Sequence, residues 1–497
     1  MLSNAIQAGA VSRITGVQTL FKDLRGGITL LPQRIAMVGQ GNTTSVYPLT
    51  KLQVTSALEV ANVYGFGCPL HLAARQFFPV NGDGIGIIPL TIYPMVDDGS
   101  GVAATGDITP VVGATEAAAF LVRVNNIESA QFVINIGDTV ANVVASITTA
   151  INGQLAMPII ATDATTVVNF AAKWAGSSSN DIVVEIVGAT NVGNTFAVTQ
   201  ANGGLVNPDV DPALTLVGNT WETLFLNCLE VGDTTNLDRF NAFGEGRWGA
   251  IVRKPPVVFS GSVEAVVATT IIIPNARNTQ RVNCQLVSPA SNDLPLVVAA
   301  RQLTRIARLA NDNPAHDYGS QQANGLIPGA DELQWTYPQR EQAVLGGSST
   351  IEVVDGIVNI GDVITFYHPT GDTAPAYRFV VDIIKLQNAI FNVDMRFAVP
   401  EWDGAPLIPD DQVANLNPSA KRPSMAVAEV AAVIDGLAAN AIISDPVSAK
   451  KTILAEIDAT NPKRLNLTFT IQLSGNTNIK SIDLNFGFFY GGNTIAA

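Results

Sequence analysis

Two stretches near the end of the chain decide how the rest is read: Leu465-Asn466-Leu467-Thr468-Phe469-Thr470-Ile471-Gln472-Leu473 and, after Gly475-Asn476, Ser481-Ile482-Asp483-Leu484-Asn485-Phe486-Gly487-Phe488. In the first, Leu465, Leu467, Phe469, Ile471 and Leu473 take every second place. In the second, Ile482, Leu484, Phe486 and Phe488 do the same. A period of two means strands with one buried face. Two readings are open. Either the stretches form a C-terminal hairpin that closes its own domain, or the last strand leaves its own body and pairs with a neighbour's sheet, as a terminal strand with unpaired N–H and C=O groups can.

Working outward, the preceding segment contains Ala449 to Asp458, where Ile453, Ala455 and Ile457 alternate and predict a strand. Pro423 opens a helix with Val427, Val430, Ile434 and Leu437 on one face. A longer helix is predicted from Ala376 to Phe397, with Val380, Ile383, Ile384, Ile390 and Val393 inward. Before it, Asp355-Gly356 between Ile351 to Val354 and Ile357-Val358 marks a tight hairpin. In the middle of the chain the spacing predicts helices at Thr220 to Val231, Thr235 to Trp248 and Pro295 to Asn311. Strands are predicted at Ala250 to Val258, Thr269 to Ile273 and Val282 to Val287. Alternating strands and helices indicate an α/β architecture. Ala117 to Val187 reads as a compact α+β insertion, with strands around a helix that Thr139 caps and Asn152-Gly153 ends. Gly188 to Asp211 reads as a linker, and Ile35 to Gly39 as a first buried strand. Leu49 to Phe78 reads as helical around Leu70 to Phe77. Met1 to Lys22 reads as an extended arm or a disordered terminus.

Composition narrows the function. The 497 residues suggest about three domains. Hydrophobic residues make up 47% but charged residues only 14%, well under the usual quarter, so much of the surface is expected to be covered by repeated subunit contact. A net charge of −14 disfavours nonspecific binding to DNA or an anionic membrane. Cys68, Cys228 and Cys284 are odd in number and widely spaced, which excludes C-x-x-C zinc or redox motifs. No apolar run reaches the length of a membrane span.

Catalytic patterns are missing. His71, His316 and His368 lie in separate regions, with no H-E-x-x-H and no G-x-S-x-G. Ser177, Ser178 and Ser179 read as a solvated turn. Gly82-Asp83-Gly84 lacks the Lys-Ser/Thr of a phosphate loop. No catalytic residue, metal ligand or cofactor is assigned. Arg301, Arg305 and Arg308 form a basic stripe on one helix, either a solvated face or a surface that meets a neighbour's carboxylates.

The order of short motifs resembles the contractile-tail sheath proteins of bacteriophages, in their Mu-like branch. The motifs are Trp221-Glu222-Thr223 to Arg247-Trp248-Gly249; Ala276-Arg277-Asn278 through Asp312-Asn313-Pro314-Ala315 to Leu326-Ile327-Pro328-Gly329; Gly346-Gly347-Ser348-Ser349-Thr350 with Asp355-Gly356 and Val363 to Tyr367; and Glu456-Ile457-Asp458 with Asn461 to Asn466. Each is short; their order and spacing carry the resemblance. It implies a multidomain α/β and α+β chain. Its parts would be an extended arm (1–25), a discontinuous subtilisin-like α/β middle domain without the protease site (26–115 and 205–345), a peripheral α+β insertion (116–204) and a C-terminal α+β sheath domain with a terminal strand (346–497). It further implies hexameric rings stacked around a tail tube, with the tube, baseplate and tail terminator as partners, assembly in the bacterial cytoplasm and residence in the virion tail. There would be no direct nucleic-acid or membrane contact. The terminal strand would then be the inter-subunit strand, carried by Ile482, Leu484, Phe486 and Phe488. Lys450, Lys451, Lys463 and Arg464 are the expected tube-facing basic group, against the alternative of ordinary solubilising charges. The sheath of a bacteriocin or type VI-like secretion system, a subtilisin-like hydrolase, and a surface-layer or capsid-like shell are the competing readings.

Overall fold

The computed structural model describes residues 28–80, 82–190, 192–371, 376–411, 417–478, 480–484 and 486. Its frame is a six-stranded sheet in the spatial order Asn283–Val287, Val257–Ser262, Leu224–Asn227, Ile35–Gln40, Leu90–Met95, Leu52–Val54. Neighbours are parallel except the last pair. The parallel strands are buried almost throughout. Parallel strands are covered on both faces, so their residues are apolar in unbroken runs. One face packs Ala36, Val38, Phe225 and Val258 against Leu214 and against Phe240 of the Thr234–Trp248 helix. Pro69–Phe77 and Pro295–Asp312 pack together and against strands of the same sheet. At Gly261 an added Cβ would lie 1.7 Å from the Pro295 carbonyl oxygen, so only glycine admits the helix's first turn.

The segment between Leu90–Met95 and Leu224–Asn227 carries two further sheets. One has Val184–Gly188, Ala118–Val124 and Ile127–Glu128 in order, with Phe132–Ile134 also on Ala118–Val124. The other orders Thr195–Asn202, Thr105–Val111, Val168–Ala172 and Ile159–Asp163. The Val140–Gly153 helix is capped by Thr139, whose hydroxyl accepts from Asn142 N–H at 3.3 Å. Asn125 and Asn126 turn the chain at φ 44° and 65°. The Asn125 amide then donates to the carbonyls of Asp181 and Asn292. Further along, Asp355 (φ 51°) and Gly356 (φ 74°) make the expected hairpin turn between Ile351–Val354 and Ile357–Ile360.

By its contacts the chain divides into two compact units. One contains residues 33–383 and the segment from Gly475 onward. The other contains the segment up to Pro32 together with Ile384–Ser474. The second unit holds most of the Val380–Phe397 helix, the Pro423–Ala439 and Pro446–Lys451 helices, and a two-stranded sheet of Leu454–Ile457 and Leu465–Thr468.

Several expectations are corrected. Thr220 to Val231 is no helix: Leu224-Phe225-Leu226-Asn227 is the third buried run of the parallel strands, and a fully buried strand has no alternation to separate it from helix. Thr269 to Ile273 is no strand but parts of two short helices, Val267–Thr270 and Ile272–Ala276, with Ile272 turned to solvent. The Gly188 to Asp211 linker contains the strand Thr195–Asn202. Asp445 caps Pro446–Lys451, so the strand expected from Ala449 begins only at Leu454. The C-terminal hairpin is not formed among the described residues: Leu465–Thr468 pairs with Leu454–Ile457 instead. The expected arm, Met1 to Lys22, lies outside the described residues.

Asp181 gives the insertion a pH dependence. Burial, reinforced by the nearby Glu230 carboxylate, pushes its carboxyl up to about 7. The unfolded chain releases this proton near pH 4, so the folded state loses stability as pH rises from about 4 to about 7. Asp181→Asn, which cannot ionise, should raise the melting temperature at pH 8 by at least ~2 °C and leave it unchanged at pH 4. An equal gain at both pH values in differential scanning calorimetry would remove charge burial as the cause.

Candidate subunit-joining surface

The two-stranded sheet of the second unit is short of partners. Its register pairs Leu454 with Thr468, Ala455 with Leu467, Glu456 with Asn466 and Ile457 with Leu465. One face therefore carries Ala455, Ile457, Leu465 and Leu467. The Pro423–Ala439 helix, which buries Ala426, Val430, Val433, Ile434 and Leu437, packs against this sheet. On the other face Leu454 is 70% exposed. No described strand pairs with the outer edge of either strand. Two strands alone are marginal in water, and their outer N–H and C=O groups are a template for a further strand.

The loop joining the two strands is rigidly organised. Asp458 accepts from the backbone N–H of Thr460 and Asn461, both at 2.9 Å, and from the Thr460 hydroxyl and the Asn466 amide. These bonds hold its carboxyl well below the ordinary range. Sequence reading overlooked Asp458 as an organiser, although Asp-x-Thr-Asn-Pro is a turn-forming pattern.

The expected site residues fall into three groups. Ile482, Leu484 and Phe486 are 83%, 79% and 82% exposed, and among the described residues they form no strand; Phe488 lies outside the described residues. Of the basic group, Lys451, Lys463 and Arg464 are exposed on the hairpin and the helix before it. Arg464 stands 3.8 Å from Asp458, and Lys450 pairs with Asp435 at 2.7 Å. The arginine stripe is not a row of free cations. Arg301 is buried and donates to the Gln76 carbonyl at 3.2 Å, Arg305 donates to Gln321 at 2.6 Å, and Arg308 pairs with Asp83 at 3.1 Å. The Asp83 loop and Gln76 lie against this helix, and a helical period cannot reveal such an approach.

Residues of types that carry chemistry have structural partners here. Ser179 accepts from Ala104 N–H and donates to the Gly176 carbonyl, while Ser178 accepts from the Trp174 indole. Both serines are buried, which corrects the solvated turn. His71 accepts from Gly67 N–H, and burial pushes it down to about 4. All three cysteines are buried and unpaired with one another, and burial pushes their thiols up. A crevice of about 490 Å³ opens beyond the C-terminal ends of Leu90–Met95 and Leu224–Asn227, where open α/β sheets bind ligands. It is lined by Asp98, Asp209, Glu230, Asp233 and Arg239 and contains neither histidine nor cysteine. Among the described residues no three His, Cys, Asp or Glu side chains are grouped to hold a metal ion.

No family model matches the chain. The Mu-like prophage FluMu tail sheath protein of Haemophilus influenzae is 23% identical over 425 residues, spanning 84% of this chain and 85% of that protein. Among solved structures, a sheath tail protein of Listeria innocua aligns with a TM-score of 0.48 at 12% identity, over 91% of this chain and 94% of that one. A sheath tail protein of Desulfitobacterium hafniense aligns with a TM-score of 0.45 at 11% identity, over 92% and 100% respectively. Along most of its length, then, this chain is similar in sequence to a Mu-like tail sheath protein.

Proposed function

We propose that this chain is a structural subunit of a contractile tail sheath, polymerising as stacked hexameric rings around a tail tube above a baseplate. In this reading it works in the virion tail after assembly in the bacterial cytoplasm, and it drives the tube through the host envelope on contraction. The alignment over 84% of the chain carries this reading. The open two-stranded sheet and the exposed, alternating Ile482 and Leu484 support it, because an apolar strand is what such an edge accepts. The final strand of one copy adds to the Leu454–Ile457/Leu465–Thr468 sheet of another, and the arm at residues 1–25 reaches a third. The α/β part (26–115 and 205–345) is the subtilisin-like body, the insertion (116–204) is peripheral, and 346–497 is the sheath domain.

The mechanism is physical. Each interchain ladder bond contributes about 0.5–1.5 kcal/mol net, so a few per strand tether bodies that rotate against each other. The extended lattice is a kinetic trap above the contracted one, and contraction needs no nucleotide. Lys451, Lys463 and Arg464 face the tube, with Lys450 shared between the tube and Asp435. The Arg308 end of the arginine helix contributes at most a rim contact between copies.

Three measurements test this. Purified protein, alone or with its tube, should form hollow cylinders in negative stain; a chain that stays monomeric at high concentration with tube present would overturn the reading. Ile482→Asp with Leu484→Asp should abolish cylinders while shifting the monomer's melting temperature by less than ~1 °C, since both side chains are exposed. Cylinders of normal length would remove strand donation. Lys451→Glu with Lys463→Glu should lose co-sedimentation with the tube, and the wild-type interaction should weaken as salt rises. Unchanged co-sedimentation would assign these charges to solubility alone.

A further inference from the structure

Three polar side chains are buried on one stripe of the Val380–Phe397 helix: Lys385, Asn388 and Asn392, at i, i+3 and i+7. Burying such groups is costly unless they are hydrogen-bonded. The Asn392 carboxamide accepts from Thr29 N–H at 3.1 Å and donates to the Thr29 carbonyl at 3.0 Å, as a paired strand would. The Asn388 oxygen accepts from Leu31 N–H at 2.8 Å. The Lys385 ammonium donates to the Ser474 carbonyl at 2.6 Å. Ser474 N–H in turn donates to the Ile442 carbonyl, and Ser444 N–H to that of Gln472. Thr29 and Leu31 follow the expected N-terminal arm, and Ser474 precedes the exposed C-terminal segment. One helix therefore grips the roots of both.

We infer that Lys385, Asn388 and Asn392 are a common anchorage for the two terminal segments, so that tension on either one reaches the other along a single helix. The inference rests on the proposed strand exchange for its role in the lattice, but the anchorage itself is a property of one chain. A carboxamide that pairs with both N–H and C=O of Thr29 resists displacement along the strand, and an ammonium on a buried carbonyl makes a charge-assisted bond. The helix between them transmits load by its own axial hydrogen bonds. Anchors arranged in series have a distinctive consequence: breaking one severs the path, and breaking the second adds nothing.

Two readouts on the full chain separate the anchorage from the sheath reading. In the monomer, Asn388→Leu with Asn392→Ala should speed amide hydrogen exchange at 29–31 about tenfold, and Lys385→Met should do the same near 474. Unchanged exchange at these roots would overturn the anchorage whether or not cylinders form. In assembled cylinders, each variant should lower the urea concentration at which rings separate, and the combined variant should be no worse than either alone. Additive losses would overturn the series path and leave two independent anchors. Should the double asparagine variant fail to fold, the single change Asn392→Ser supplies the same exchange measurement at residue 29. Failure of wild-type cylinders to form would remove the sheath reading and leave the exchange result standing.

Discussion

Backbone hydrogen bonding is the constraint on which this structure turns. A six-stranded, mostly parallel sheet covered by helices satisfies its own N–H and C=O groups over most of its length. The Leu454–Ile457/Leu465–Thr468 sheet does not, because two strands leave both outer edges open. Natural proteins blunt such edges with charges, prolines or bulges. Here one edge strand reads Leu454-Ala455-Glu456-Ile457, largely apolar, with a single charge. An edge left in that state is stable against aggregation only if a defined partner takes it. The low charge content of the chain, 14%, leaves few charged side chains to guard such an edge.

Much of this was legible in the residues. The Asp355-Gly356 turn, the Thr139-capped helix and the Pro295–Asp312 helix each announce themselves by local chemistry: positive φ, an N-cap, a 3.6 period. The alternation at Leu465 to Leu473 correctly indicated a strand, although only Leu465–Thr468 is paired in a ladder. What failed depended on distant partners. Leu224-Phe225-Leu226 is apolar on both faces, and only its place between Ile35–Gln40 and Val257–Ser262 makes it a strand. Arg301 looked exposed by period, yet the Gln76 carbonyl from another helix lies against it. Lys385, Asn388 and Asn392 did leave a signal: three polar residues on one stripe of the helix, at i, i+3 and i+7. Reading the helix for its hydrophobic face alone passed over them.

The α/β body carries its crevice at the place where open α/β sheets bind ligands. Its crevice sits where the strand order reverses, yet the lining is carboxylates, amides and hydroxyls around Arg239, which pairs with Asp209 and Asp211. Asn207 and Asn236 bridge the acids Glu230 and Asp233 by donating to them. These amides fix the wall of the crevice by tying Asn207 to the residues that follow Leu224–Asn227. A nucleophile there would need a base, and the one histidine buried in this unit, His71, is occupied as an acceptor at another helix N-terminus.

Rigid anchorage and loose tethering answer the same mechanical demand from opposite sides. A lattice that contracts must let bodies rotate, so the connections between copies have to be backbone ladders that tolerate changes of angle. Those ladders hold only if their roots do not slide. Side-chain amides that pair with a strand's own N–H and C=O fix its register without adding another strand, and they do so from inside a helix, the stiffest element available. Hydrophobic packing could bury the same segment but would let it slip by two residues at little cost, because apolar contacts are non-directional. Where register matters more than affinity, buried polar groups are the better material, and the Val380–Phe397 helix uses them where the two terminal segments begin.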